Sequence, residues 1–338
     1  MSLADELIRA SERDKLRLHT PGHKGGVCKL DLTELSDGSF PADSVVQAEK
    51  RAAGIYGAKH AHYLCGGSSQ GVKASIFYSS ANAVVDINSH RSVFDGFKLS
   101  GKRCVTAGES GGVRPITIKQ IDGAITKDVQ AVVITTPTYF GFCADVDGIA
   151  DYCKKRGLLF IADSAHGAHF GFSPRLPKSV APIADICNAS THKTLRALTQ
   201  SALLFDNLSD DNSARLRDCV DVMGSTSPSY LLYASIDDAV SRVADKAATA
   251  AYERLFGAVE DIKADFPFLQ NDDFSRLVLD CARLGVEPSR LNNALSLRGV
   301  YSELVTDKYV VFILTAEDAP EQVCLLGKAL HDCIGEIK

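Results

Sequence analysis

Leu158-Leu159-Phe160-Ile161-Ala162-Asp163-Ser164-Ala165-His166 and Ala184-Asp185-Ile186-Cys187-Asn188-Ala189-Ser190-Thr191-His192-Lys193 are the two stretches from which the fold is read. Each begins as a short apolar run of strand length and ends abruptly on polar residues. Working outward, the same alternation recurs. Strands are predicted at 83–87, 103–106 and 131–135, and helices at 70–78, 92–99 and 145–156, the last closed by Gly157. Such alternation implies a mainly parallel sheet with helices on both faces, and ligands bind such sheets beyond the carboxyl ends of the strands. Asp163, residues 190–193 and residues 136–139 all fall just past strand ends, so three loops are expected to converge on one crevice.

Towards the termini the reading is simpler. An amphipathic helix is expected over 2–13, a Gly- and Pro-rich loop over 19–26 and a helix over 45–56. A single long helix over 236–256 is expected to join the domains. Strands at 276–281 and 309–314 with helices at 289–297 and 320–334 then make a small α/β unit. The division expected is 1–245 for a large domain with an N-terminal arm and 246–338 for the small one.

The 338 residues carry a formal charge of −5, with 45% hydrophobic and 23% charged residues, an ordinary globular balance. No basic tract invites nucleic acid or an anionic membrane, and no apolar run reaches the length of a membrane span. The ten cysteines are scattered without a CxxC pair, and Met1 to Arg17 lacks the apolar core of a signal peptide, so a cytoplasmic protein with reduced thiols is expected.

Lys193 and Asp163 give the candidate chemistry. An amine able to form an imine and an acid able to hold a protonated pyridine nitrogen are the two parts that a pyridoxal phosphate enzyme needs. Read alone, Lys193 could be a solvated lysine and Asp163 a helix cap or turn residue. Gly66-Gly67-Ser68-Ser69-Gln70-Gly71, ahead of a helix, reads either as a phosphate cradle or as an ordinary cap. His90 is either a ring that stacks on a planar cofactor or a capping residue. His166 and His169 raise metal ligation as a competitor, but no cysteine or acidic cluster stands at a supporting spacing, and no metal is expected.

Taken together, the chain resembles the bacterial ornithine/lysine/arginine decarboxylase family. The resemblance rests on His19-Thr20-Pro21-Gly22-His23-Lys24-Gly25-Gly26, Asp31-Leu32-Thr33-Glu34-Leu35, Gly67-Ser68-Ser69-Gln70-Gly71 and Thr136-Pro137-Thr138-Tyr139-Phe140-Gly141. It continues through Asp163-Ser164-Ala165-His166-Gly167-Ala168-His169, Ser190-Thr191-His192-Lys193-Thr194 and Ser225-Thr226-Ser227-Pro228-Ser229-Tyr230. These segments run in order over about residues 15–240.

The resemblance implies the aspartate aminotransferase-like fold of PLP-dependent transferases and pyridoxal 5'-phosphate as cofactor. Lys193 would form the imine, Asp163 would pair with the pyridine nitrogen, and Ala165 and His90 would cover the two ring faces. His166 would lie near the cofactor's phenolic oxygen or the substrate carboxylate. Ser68, Ser69, Ser190 and His192 would hold the phosphate. Ser225 and Thr226 would reach the neighbour's phosphate in a homodimer with shared sites, and the 19–26 loop would line the substrate entrance. The implied reaction is α-decarboxylation of lysine, ornithine or arginine.

Members of this family are usually longer, and Asp37-Gly38-Ser39-Phe40-Pro41 looks shortened against their pattern. Both departures touch the substrate pocket. Transamination, elimination or cyclisation on the same scaffold, or a silent cofactor-binding protein, are therefore alternative readings. Arg276, Arg290 and Arg298 are the candidates for holding a substrate carboxylate.

Overall fold

The computed structural model describes residues 2–13, 16–41 and 43–337. Leu3–Arg13 (α1) and Ser44–Tyr56 (α2) lead into His60–Leu64 (β1), Gly67–Ser79 (α3), Asn82–Asp86 (β2), Arg91–Ser100 (α4) and Cys104–Ala107 (β3). Ile118–Ala124 (α5), Val129–Thr135 (β4), Val146–Arg156 (α6), Leu159–Asp163 (β5), Ile186–Ala189 (β6) and Thr191–Thr194 (α7) follow. Ala202–Asp206 (β7), Asp210–Val222 (α8) and Tyr230–Val243 (α9) complete this part. The remainder comprises Lys246–Asp265 (α10), Arg276–Asp280 (β8), Cys281–Leu284 (α11) and Pro288–Ser296 (α12), then Leu304–Val305 (β9), Tyr309–Ile313 (β10) and Pro320–Ile337 (α13).

The large sheet has the strand order β1-β7-β6-β5-β4-β2-β3. The run from β6 to β3 is parallel, and β7 is antiparallel to both of its neighbours. Alternate residues along each strand feed different cores, as a period of two requires. Val132, Ile134, Phe160 and Ala162 join one apolar cluster, and Ala131, Val133 and Ile161 join the other. Burial on both faces explains why these strands read as continuous apolar runs. The register sets Thr135 opposite Asp163 and Asp163 opposite Asn188, so the strand ends that carry polar residues are level with one another.

The small sheet, β8-β10-β9, is antiparallel and packs with α10, α12 and α13 around its own core, which includes Tyr252, Leu255, Leu277, Val310 and Leu330. The arm α1 buries Leu3, Leu7 and Ala10 against Tyr230 and Ala234 of α9. Its Leu3 N–H donates to the Asp237 carboxylate at 2.8 Å, which Arg51 also engages at 2.9 Å.

Three expectations change. The helix expected over 236–256 is two helices, because Asp245 accepts from Ala247 N–H and starts α10 afresh after α9 ends at Val243. The helix expected at 70–78 begins at Gly67, so Ser68 and Ser69 belong to its first turn. Strands β1 and β7 were not expected, since His60 and His62 interrupt the apolar signal of β1. In the structure His62 is buried and its Nε2 lies 2.8 Å from Asp206, which turns a polar residue into a tie between the two strands.

Gly71 sets the spacing of α3 from the sheet. A Cβ there would meet Asn188 Oδ1 at 2.2 Å and Leu64 Cδ1 at 2.7 Å. Asn188 is fully buried and Leu64 is core, so neither has room to yield. Gly71→Ala is expected to destabilise the protein by about 1–3 kcal/mol, read as a lower urea midpoint at unchanged slope. An unchanged midpoint would show that the helix has slack over the sheet.

Candidate active site

Gly67, Ser68 and Ser69 at the first turn of α3, His90 ahead of α4, Asp163, Ala165 and His166 after β5, and Ser190, His192 and Lys193 after β6 line one crevice of about 360 Å³. Asn88, Thr135 and Tyr139 complete its wall. Ten strand-end or helix-start positions named from the sequence or adjoining them thus meet where the parallel strands finish. Ser225 and Thr226 do not line this crevice and are exposed, and no residue of the 19–26 loop lines it.

At one end, α3 presents its first-turn amides beside the Ser68 and Ser69 hydroxyls. Ser190 Oγ donates to Ser68 Oγ at 2.9 Å, which draws the β6 loop and the helix start together. His192 donates its Nδ1–H to the Ser201 carbonyl at 2.8 Å, and its other ring nitrogen is left for a ligand. A helix N-terminus, three hydroxyls and a histidine suit a phosphate dianion.

In the middle lies Asp163, fully buried, with Ala165 N–H donating to it at 3.2 Å. Burial pushes its carboxyl up, against the Ala165 N–H that favours the charged form. A carboxylate so placed is short of a counter-charge, and a protonated pyridine nitrogen would supply it. His90 combines both of its readings: its Nδ1 accepts from Ser92 N–H at 3.2 Å to cap α4, and its ring remains exposed on the crevice wall. The residues present therefore fit pyridoxal phosphate at its phosphate, its ring nitrogen and its ring faces.

At the other end, His166 Nε2 is 3.1 Å from Lys193 Nζ and its Nδ1 is 3.1 Å from Arg276 Nη2. Burial, then the Arg276 guanidinium, hold His166 well below its ordinary value, so the ring is neutral. A guanidinium only donates, so Nδ1 accepts and the single ring proton sits on Nε2. That N–H points at Lys193, whose nitrogen must then accept it as an uncharged amine. Burial lowers Lys193 from the usual lysine value in the same sense.

Arg276 reaches this point from the first residue of β8. Of the three candidate arginines it alone touches a residue of the crevice: Arg290 is exposed, and Arg298 is exposed and pairs with Glu336. Its Nε and Nη1 are buried without a partner among the described residues. Tyr139 packs edge-on against His166 at 4.6 Å between centroids, and its hydroxyl donates to Glu303 of the small domain. His169 turns elsewhere, with Nε2 3.1 Å from Ser275 Oγ and 3.4 Å from Asp273. Among the described residues no group of three His, Cys, Asp or Glu is arranged to hold a metal ion.

Asn88, Thr135 and Tyr139 had no site role from the sequence, although Thr135 and Tyr139 stand at a strand end and just past it, where the crevice was expected. Asn88 carries the same signal, two residues after β2.

Comparison with known proteins gives the family and the fold. Residues 2–281 match the family model described as Orn/Lys/Arg decarboxylase, major domain. An arginine decarboxylase of Bacillus cereus is 28% identical over 288 residues, covering 76% of this chain and 62% of that protein. A Bacillus subtilis protein, YaaO, carried as uncharacterized, is 28% identical over 348 residues, covering 91% of this chain and 72% of its own length. Among solved structures, the lysine decarboxylase of Francisella novicida superposes with a TM-score of 0.78 at 18% identity, over 98% of this chain and 59% of its own. The chain thus spans about three fifths of those two decarboxylases. The match establishes the expected fold, that of the PLP-dependent, aspartate aminotransferase-like enzymes.

Since deprotonation is what makes the amine nucleophilic, the rate at which the cofactor-free protein takes up pyridoxal phosphate should inflect below the usual lysine range. Arg276→Met removes a cation beside Lys193 and releases the His166 tautomer, so its inflection should move to higher pH. Stopped-flow absorbance across pH measures both, and identical profiles would refute the Arg276–His166–Lys193 chain.

Proposed function

We propose that this chain, which belongs to the Orn/Lys/Arg decarboxylase family, is a pyridoxal phosphate-dependent enzyme that removes CO2 from a basic amino acid to leave the corresponding amine. The observation that carries this reading is the meeting of Lys193 with Asp163 and His166 beneath the α3 cradle. Bound there, pyridoxal phosphate supplies an electron sink for the pair left when the substrate carboxylate departs as CO2.

The chain's own residues have separate tasks. Ser68, Ser69, Ser190 and His192 anchor the phosphate. Asp163 keeps a proton on the pyridine nitrogen, and Ala165 and His90 hold the ring plane. The uncharged Lys193 amine attaches the cofactor. Arg276, through its two unpartnered donors, orients the substrate carboxylate. One carbon–carbon bond breaks and one proton is taken up at the α-carbon, delivered by Lys193 or by His166 Nε2–H. That the chain's relatives include an arginine decarboxylase and a lysine decarboxylase supports a cationic side chain on the substrate.

The working unit proposed is a homodimer in the cytoplasm. Ser225 and Thr226 are exposed away from their own crevice, where a second copy could meet them. Leu16, Leu18 and Val27, flanking the 19–26 loop, expose apolar surface of the kind that an interface covers. All ten cysteines are free thiols, in keeping with a reducing compartment.

The cofactor-loaded protein should release CO2 and the matching amine from lysine, ornithine or arginine, with one proton consumed per turnover, as read by mass spectrometry and pH-stat. Lys193→Ala should lower this rate more than about a hundredfold. Keto acid or ammonia without CO2 would refute decarboxylation. Light scattering should give twice the 36.2 kDa chain mass; a monomer in the presence of cofactor would refute the shared-site dimer.

A further inference from the structure

On the far side of Tyr139 from the crevice lies a second cavity of about 610 Å³, bounded by the ends of β2 and β4, the 109–114 loop and the β9–β10 turn. Asn88, Thr135 and Tyr139 line both spaces, so the two adjoin across a shared wall. Its volume lies in the range of roughly 300–1,000 Å³ usual for small-molecule sites.

The charges in this chamber are unevenly answered. Asp86 lies at its floor, 2% exposed. It accepts from Asn88 N–H at 2.9 Å and from Ile116 N–H, and no cation pairs with it among the described residues. Glu109 and Asp307 add carboxylates at the rim, against Arg114 and Lys308. Arg114 is drawn aside, its guanidinium 4.0 Å over the Phe142 ring. A buried carboxylate without a counter-ion is costly, and a cation that enters and pairs with it relieves that cost.

We infer that this chamber receives the distal cationic group of the substrate, with Asp86 as its deep acceptor and Glu109 as its rim acceptor. The inference rests on the decarboxylase reading for its choice of substrate but not for its geometry. An amino acid held with its α-carbon at Lys193 passes Tyr139 before its side chain enters the chamber. A long side chain ending in an ammonium or guanidinium is the class that spans the crevice and ends beside Asp86. A short or uncharged side chain leaves that carboxylate unanswered.

Binding separates this idea from the reaction. Titrating the cofactor-loaded protein by calorimetry with 1,5-diaminopentane and with n-pentylamine isolates the distal charge. The diamine should bind about tenfold or more tightly than the monoamine, the size of one charge-assisted hydrogen bond. Asp86→Asn should bring the ratio close to one, and Glu109→Gln should reduce it. Glu109 is exposed on a loop, so its variant decides the matter if Asp86→Asn fails to fold. A ratio of one in the parent protein, or a ratio untouched by every variant that folds, would overturn the chamber even if CO2 release is observed. If the ratio behaves as expected but no amino acid yields CO2, the chamber stands and the reaction proposed above falls.

Discussion

Arg276 is fully buried, and a guanidinium in that position has to find its acceptors inside the protein. It finds one in His166 Nδ1, across the seam between the two sheets. That single donation fixes the histidine proton on Nε2 and leaves Lys193 as a free amine, so the state of the lysine is set from the small domain. The seam is held nearby by backbone. Asp272 and Asp273 N–H both donate to the Gly141 carbonyl, at 3.1 and 3.0 Å, and Asn271 donates to the Phe140 carbonyl at 2.8 Å. The same loop carries Tyr139 against His166. Protonation and domain placement are thus one arrangement seen from two sides.

The parallel strands were legible because burial on both faces makes each a continuous apolar run ending on polar residues. Asp163, Ser190 and Lys193 stood out for the same reason. Strands β1 and β7 escaped because their pairing depends on a buried His62–Asp206 contact between residues 144 apart, which no local pattern contains. The break at Asp245 was hidden by the apolar helical period that continues on both sides of it. Ser68 and Ser69 were recognised, but as a loop: glycine and serine lower helix propensity, and contacts of α3 with the sheet override that preference. Arg276 could be narrowed only to one of three, since what singles it out is burial against a residue 110 positions away.

The crevice and the chamber beside it solve different physical problems. The cofactor end is made of hydroxyls, amides and fixed dipoles on strand ends and helix starts, elements that ordinary fluctuation barely moves. The chamber relies on carboxylates of graded depth, from Asp86 in the sheet to Glu109 and Asp307 at the rim, and a gradient of that kind orders a flexible cation by charge rather than by shape.

One feature of that chamber reaches beyond the binding of any single substrate. Its far wall is the turn between β9 and β10, closed by a 2.9 Å bond from Thr306 N–H to the Tyr309 carbonyl, beside the small sheet that carries Arg276 and apart from the hydroxyls at the start of α3. Turns of this sort accept insertions and exchanges that strands reject. Mutation can therefore redraw the space opposite Asp86 without disturbing the strand ends that grip the cofactor. On this scaffold, inheritance of the chemistry and divergence of the substrate are written in different parts of the chain.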